Sequence, residues 1–89
     1  MRPQLSLIEV PGQPYVTIRA VGFMGENIMH IPMGKTKFME CFNKWVAGAM
    51  IQDAFKCLTV VQREFLMSGM SAEQQKEVFG KPEPEVNLN

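Results

Sequence analysis

The most reactive side chains in this sequence are one histidine and two cysteines: His30, Cys41 and Cys57. A Cys–His pair would make a nucleophile, because imidazole takes the thiol proton and leaves a thiolate. The imidazole must then be oriented by a third polar group. The residues that alternate with His30, Ile28 and Pro32, supply none. His30 is therefore expected as a strand histidine at a sheet edge or face. Cys41 and Cys57 stand 16 residues apart among apolar residues at helical spacing. That setting predicts reduced thiols packed as small hydrophobes. A tetrahedral zinc site needs four ligands, usually delivered as close pairs, and the spacing offers no such pairs. Neither a metal nor a cofactor is expected. A small hydrolase or ligand binder centred on Cys41, Cys57 and His30 is the third-ranked reading.

The segment MGKTKF invites comparison with a phosphate-binding loop, since Gly34-Lys35-Thr36 follows a strand and opens a helix. That loop needs a glycine five residues before Gly34, so that successive amides can wrap a phosphate. Met29 occupies the position. What remains is a turn and helix start with exposed lysines, where Lys35 and Thr36 could still meet an anion. Carboxylates are scattered singly: Glu73 and Glu77 share a helix face at i,i+4, and Glu64 adjoins Arg63. No acid–base dyad stands out, and enzymatic activity is not expected.

The elements that would position these residues follow from hydrophobic periodicity. Gln4–Val10, Tyr15–Val21 and Asn27–Met33 read as three strands separated by PGQP and GFMGEN turns. In the second, Val16, Ile18 and Ala20 fall on one face. Pro32 ends the third strand or places it at an edge. From Gly34 the period changes. Phe38, Met39, Phe42, Trp45, Val46, Ala49 and Met50 recur at offsets 0, 1, 4, 7, 8, 11 and 12, which predicts an amphipathic helix of over three turns capped by Thr36. It continues through Ile51, Ala54, Phe55 and Leu58, with a break or bend near Gly48. Thr59-Val60-Val61-Gln62 and Ser71-Ala72-Glu73-Gln74 are capping boxes that open two further helices, ended by Gly69 and Gly80. The reading is an α+β fold: a three-stranded antiparallel β-meander followed by three or four helices on one face. Residues 1–80 are expected to form one compact domain and 81–89 a flexible polar tail.

Composition bounds the partners. The 89 residues are 46% hydrophobic and 20% charged, with nine basic and nine acidic side chains. Zero net charge argues against nucleic acid, which demands cations for its phosphates. No apolar run reaches the ~20 residues of a spanning helix. The N-terminal MRPQLSLIEV lacks a leader-like apolar core, so a cytoplasmic location is expected. Eight methionines are spread over strands, turns and helices. They read first as core filler and second as adaptable binding surface.

Two resemblances concern the C-terminal half. Leu58-Thr59, Gln62 to Leu66, Gly69-Met70-Ser71 and Glu73-Gln74 resemble the start of DNA-binding domains in sigma factors and response regulators. There a third, recognition helix follows, whereas Pro82 and Pro84 interrupt the residues after Gly80. Arg63, Lys76 and Lys81 are few for phosphate anchoring. A longer match, from Trp45 to Phe79, is similar to a pattern of small bacteriophage and prophage proteins. Trp45, Gly48, Ile51, Gln52, Ala54, Phe55, Leu58, Thr59, Arg63, Glu64, Phe65, Leu66, Ser68, Gly69, Glu73 and Phe79 carry it. Lys56 and Gln75 depart from it, standing where the pattern has Pro and Trp. The resemblance implies a phage-type gene acting inside a bacterial cell, and brings no activity.

Residue by residue, Ile51, Phe55, Leu58, Phe65, Leu66 and Phe79 are expected in the core. Gln52, Arg63 and Glu64 are polar within apolar runs, so they either satisfy backbone groups, the preferred reading, or face a partner. Together with Met67 and Met70 they form the candidate partner-binding set. The leading expectation is a non-catalytic protein-binding module, for example an inhibitor of a host enzyme or defence system, with a host or phage protein as partner and homodimerisation open. The alternative is a DNA-binding or transcription-modulating protein using Thr59–Phe79.

Overall fold

A computed structural model describes residues 2–80. The expected tail, 81–89, lies outside the described residues. Strands β1 (Gln4–Glu9), β2 (Val16–Gly22) and β3 (Gly25–Ile31) form an antiparallel sheet in the order β1-β2-β3. Helices α1 (Lys35–Val46), α2 (Ile51–Ala54), α3 (Val60–Ser68) and α4 (Ala72–Phe79) follow and pack on one face. The α+β meander read from the sequence is the fold.

Alternation fixes which face is covered. Val16, Ile18 and Ala20 point to the helices and are fully buried, and Ile31 joins them from β3. The register sets Leu5 against Ala20 and Leu7 against Ile18 on the same face. The other face carries Ile8, Thr17 and His30 in one row, and Ser6, Arg19 and Ile28 in the next. The helical layer supplies Phe38, Cys41, Phe55, Phe65 and Leu66. Phe55 is the hub. Its ring lies 5.4 Å from Phe38 and 6.2 Å from Trp45, edge-on to the latter.

The long helix is shorter than its hydrophobic spacing predicts. It begins at Lys35 with Gly34 as N-cap and no side-chain cap, so Thr36 sits in the first turn rather than capping it. It ends in a Schellman motif: Ala49 N–H donates to the Lys44 carbonyl and Gly48 N–H to that of Trp45, both at 3.0 Å, with Gly48 at φ +117°. Gly48 is thus the break of the two alternatives, a full helix stop. Met50 falls outside α1, as N-cap of the short α2. The apolar spacing splits accordingly. Phe38, Phe42 and Trp45 turn inward, while Met39, Val46 and Met50 are exposed.

The two capping boxes form as expected, at Thr59 with Gln62 and at Ser71 with Gln74. Gly69 ends α3 in the left-handed region at φ +81°, its N–H on the Phe65 carbonyl. Phe79 is a correction. It was expected in the core and is 63% exposed. The reason lies one turn back: Gln75 takes the inward position on α4 and is buried. Its Nε2 donates to the Val61 carbonyl at 3.0 Å and the Met70 carbonyl at 3.1 Å, tying α4 to α3. One polar side chain thus bridges the two helices.

The sheet is locked to the α3–α4 junction by a polar clamp. Asn27 Nδ2 donates to the Gly69 carbonyl at 2.8 Å and to Gln74 Oε1 at 2.7 Å, and Gln74 Nε2 reaches the Met24 carbonyl at 3.3 Å. Asn27→Ala leaves two half-buried acceptors without this donor, and is expected to cost about 1–3 kcal/mol. Urea unfolding checks it: a midpoint unchanged from wild type would remove the clamp from the account.

Candidate interaction surface

Every helix among the described residues packs on one face, and none of those residues covers the opposite face of the sheet. It carries exposed apolar residues among polar ones. Ile28 is 58% exposed and Ile8 45%, with Val21 beside them and Tyr15 half-buried. Thr17 is buried at 7% even though it belongs to this face. Its flanks explain that: Ile8 and His30 stand directly opposite on the neighbouring strands. Thr17 Oγ1 lies 2.9 Å from His30 Nδ1, and the His30 ring lies 4.7 Å from Tyr15. These contacts link Tyr15, Thr17 and His30 at the centre of the face.

One ion pair crosses this face. Arg19 Nε donates to Glu26 Oε2 at 2.5 Å, diagonally across β2 and β3. That hydrogen bond, and then the guanidinium charge, hold the Glu26 carboxyl below its ordinary range; the same bond and the carboxylate charge raise Arg19. Both side chains are solvated, so screening leaves the pair little weight in stability. What small contribution Glu26 makes is present above its unfolded pKa and fades as pH falls through the lower folded one. The pair's larger effect is to set opposite charges against each other among the described apolar residues at the middle of the face.

At the β2–β3 turn the face continues onto an edge. Phe23 is 78% exposed at the hairpin tip. With Val21, Arg2 and Met67 it borders a depression of about 340 Å³. Its floor is made by close backbone contact. A Cβ on Gly22 would run into the Ser68 carbonyl oxygen, and one on Gly69 would lie 3.3 Å from Pro3 Cβ and 3.4 Å from Gly22 Cα. Two glycines facing each other thus let the hairpin rest on the end of α3. A second, narrower groove of about 200 Å³ runs beneath β1, between Leu5 and Leu7 above and Phe38, Met39 and Phe42 of α1 below.

The residues singled out in the sequence land in different places. Met67 is 37% exposed and borders the depression beside Phe23. Met70 is 2% exposed and packs inward, so it has no surface to offer a partner. Arg63 is half-buried and turned toward its own chain: Nη1 donates to the Leu58 carbonyl at 3.0 Å and the Phe55 carbonyl at 3.3 Å, closing the α2–α3 link. Glu64 is half-buried, its backbone carbonyl accepting from Ser68 Oγ at 2.8 Å. Gln52 is exposed on α2. These five do not form one patch.

The reactive residues do not converge either. His30 lies on the open face, Cys41 is buried among the helices behind the sheet, and Cys57 is exposed in the α2–α3 link. The sheet itself separates His30 from Cys41. Among the described residues no three His, Cys, Asp or Glu side chains gather into a metal-binding group. Lys35 and Thr36 border a broad hollow of about 660 Å³ that Lys37, Glu9 and Glu40 also line. No helix among the described residues is long and apolar enough to cross a membrane.

Sequence reasoning missed Ile28, Phe23, Gly22 and Asn27. Ile28 and Phe23 had a signal: an isoleucine at the outward-facing position of an edge strand, and a phenylalanine inside a two-residue turn. Gly22 and Asn27 had none, because their roles depend on a helix end that arrives some forty residues later. No protein-family model, curated protein or solved structure matches the chain, so its surface chemistry is the ground on which its function is read.

Proposed function

We propose that the chain is a non-catalytic protein-binding module whose contact surface is the open face of the sheet, continued by Phe23 and Met67 at the hairpin end. The observation that carries this reading is the uncovered face itself: Ile8, Val21 and Ile28 exposed around a linked Tyr15–Thr17–His30 centre and one ion pair. Exposed apolar area at this density is what a partner's surface removes from water. Aromatic residues with few free charges suit the core of an interface. The resemblance to small phage and prophage proteins supplies the setting: a host or phage protein as partner in a bacterial cytoplasm. Occlusion of a host enzyme or defence complex is one concrete form of that role.

Ile28→Asp tests the surface. The side chain is 58% exposed, so the fold tolerates a carboxylate there, while a central apolar contact becomes a desolvated charge. Matched wild-type and Ile28→Asp baits are used to capture chains from a bacterial lysate. Each identified partner is expected to bind the variant at least about tenfold more weakly. Partners held equally by both baits would overturn the reading. Duplex DNA, the competing partner, is titrated in parallel. Among the described residues α3 and α4 carry only Arg63 and Lys76 as cations, and Arg63 is already bonded to backbone carbonyls. Tight DNA binding that falls steeply with salt would reverse the ranking.

A further inference from the structure

Among the described residues the outer edge of β1 pairs with no strand. We propose that the protein forms a two-fold dimer by antiparallel pairing of β1 with β1 of a second copy, centred on Ser6, giving one six-stranded sheet.

The edge is unguarded. Natural edge strands are blunted by prolines, lysines, bulges or a covering element. From Gln4 to Glu9 there is no proline and no lysine, and the one charge, Glu9, stands at the end. The β1–β2 register runs without interruption from Gln4–Val21 to Glu9–Val16, so no bulge twists the edge away. Pro3 and Pro11 bound the strand and fix the length available for pairing.

The groove beneath the edge is unfilled. Leu5 and Leu7 are only half-buried, because α1 does not reach past them, and Phe42 and Met39 are left partly open below. An added strand would place its inward side chains into this groove. What those side chains should be is written in the strand itself. Leu5-Ser6-Leu7 reads the same in both directions, so a two-fold through Ser6 sets Leu5 opposite Leu7 of the second copy, and Leu7 opposite its Leu5. Residues directly opposite in an antiparallel pair share a face. Both leucine pairs therefore enter the groove, while Ser6 meets Ser6 and Gln4 meets Ile8 on the open face. A centre on Leu7 would instead press Leu5 against Glu9. Zero net charge removes long-range repulsion between copies.

A two-fold normal to the sheet keeps both helical layers on one side. The open faces of two copies then merge into a single surface of twice the area.

The test uses the full chain carrying Cys57→Ser, since Cys57 is an exposed thiol. At about 100 μM the sedimentation mass is expected to be twice 10.1 kDa. Ser6→Lys sets two ammonium groups face to face at an exposed position and is expected to return the mass to 10.1 kDa with an unchanged circular dichroism spectrum. The register is read by a short bis-maleimide. Ser6→Cys should cross-link to itself. Gln4→Cys and Ile8→Cys should each stay uncoupled alone, and should couple when mixed, since self-contacts there would span about four residues of strand, roughly 14 Å. A monomeric parent, a Ser6→Lys variant that remains dimeric, or self-coupling of Gln4→Cys or Ile8→Cys in preference to Ser6→Cys would overturn the proposal.

Discussion

Phe55→Ala is expected to destabilise the domain by about 3–5 kcal/mol, the range for emptying a buried phenylalanine site. Phe55 is 0% exposed and its ring touches those of Phe38 and Trp45, so removing it opens a cavity between α1 and the α2–α3 link. The surroundings collapse poorly, because the flanking rings are themselves held: Phe38 stands 6.1 Å from Phe42, and Trp45 takes Arg2 over its face at 4.9 Å. A chain of this size has a total stability of only about 4–12 kcal/mol. The substitution should therefore remove a large share of the total stability, readable as a marked fall in the urea midpoint. Phe79→Ala is the control. At 63% exposure it should change the stability by less than about 0.5 kcal/mol. Equal losses for the two substitutions would mean that the assignment of the core is wrong.

Gly22→Ala is the second large effect, and its cause is different. Nothing is removed; one methyl group is added where the Ser68 carbonyl oxygen already stands. Neither side of the contact is a flexible side chain. Gly22 belongs to β2 and pairs with Gly25, while Ser68 is the last residue of α3, held by the turn at Gly69. The hairpin must therefore lift off the helix end, stretching the Asn27 bonds to Gly69 and Gln74. A loss of about 2–3 kcal/mol is expected, at the upper end of the usual overpacking range. Gly25→Ala, next along the hairpin, separates the two causes. It has open space around it but φ +99°, so its cost is backbone strain alone. Thermal unfolding of the two variants, alone and with Asn27→Ala, gives the answer. If Gly22→Ala and Asn27→Ala act through one contact, their effects will fall short of additive. Full additivity would disconnect hairpin and clamp.

These effects bear on the proposed binding surface because the hairpin carries both. Val21 and Phe23 flank Gly22, and Met67 adjoins Ser68. The backbone contact that fixes stability also fixes where the apolar edge of the open face lies relative to α3. A variant that lifts the hairpin should weaken partner binding even though Gly22 itself presents no side chain.

The sequence was sufficient where each signal is local. The alternation in Tyr15–Val21, the PGQP turn, the Thr59 and Ser71 capping boxes and the glycine stop at Gly69 each need only a few neighbouring residues, and each forms as read. Helix length was harder to read, because apolar residues kept recurring past the true end of α1. Gly48 ended it through backbone hydrogen bonds that no hydrophobic count detects. Phe79 looked like core for the same reason: hydrophobicity states a preference, while the neighbour that wins the inward position, here Gln75, is set by packing. Of the candidate partner residues, Met67 and Gln52 stay at the surface, Met70 is buried, and Arg63 turns back to its own carbonyls. Composition and periodicity cannot separate these outcomes, since each depends on which element lies across from the residue. Only the tertiary arrangement, with all four helices drawn to one face, left the other face of the sheet and the β1 edge open. Strand order and helix placement are collective properties of the chain, and the surface they expose belongs to no single segment.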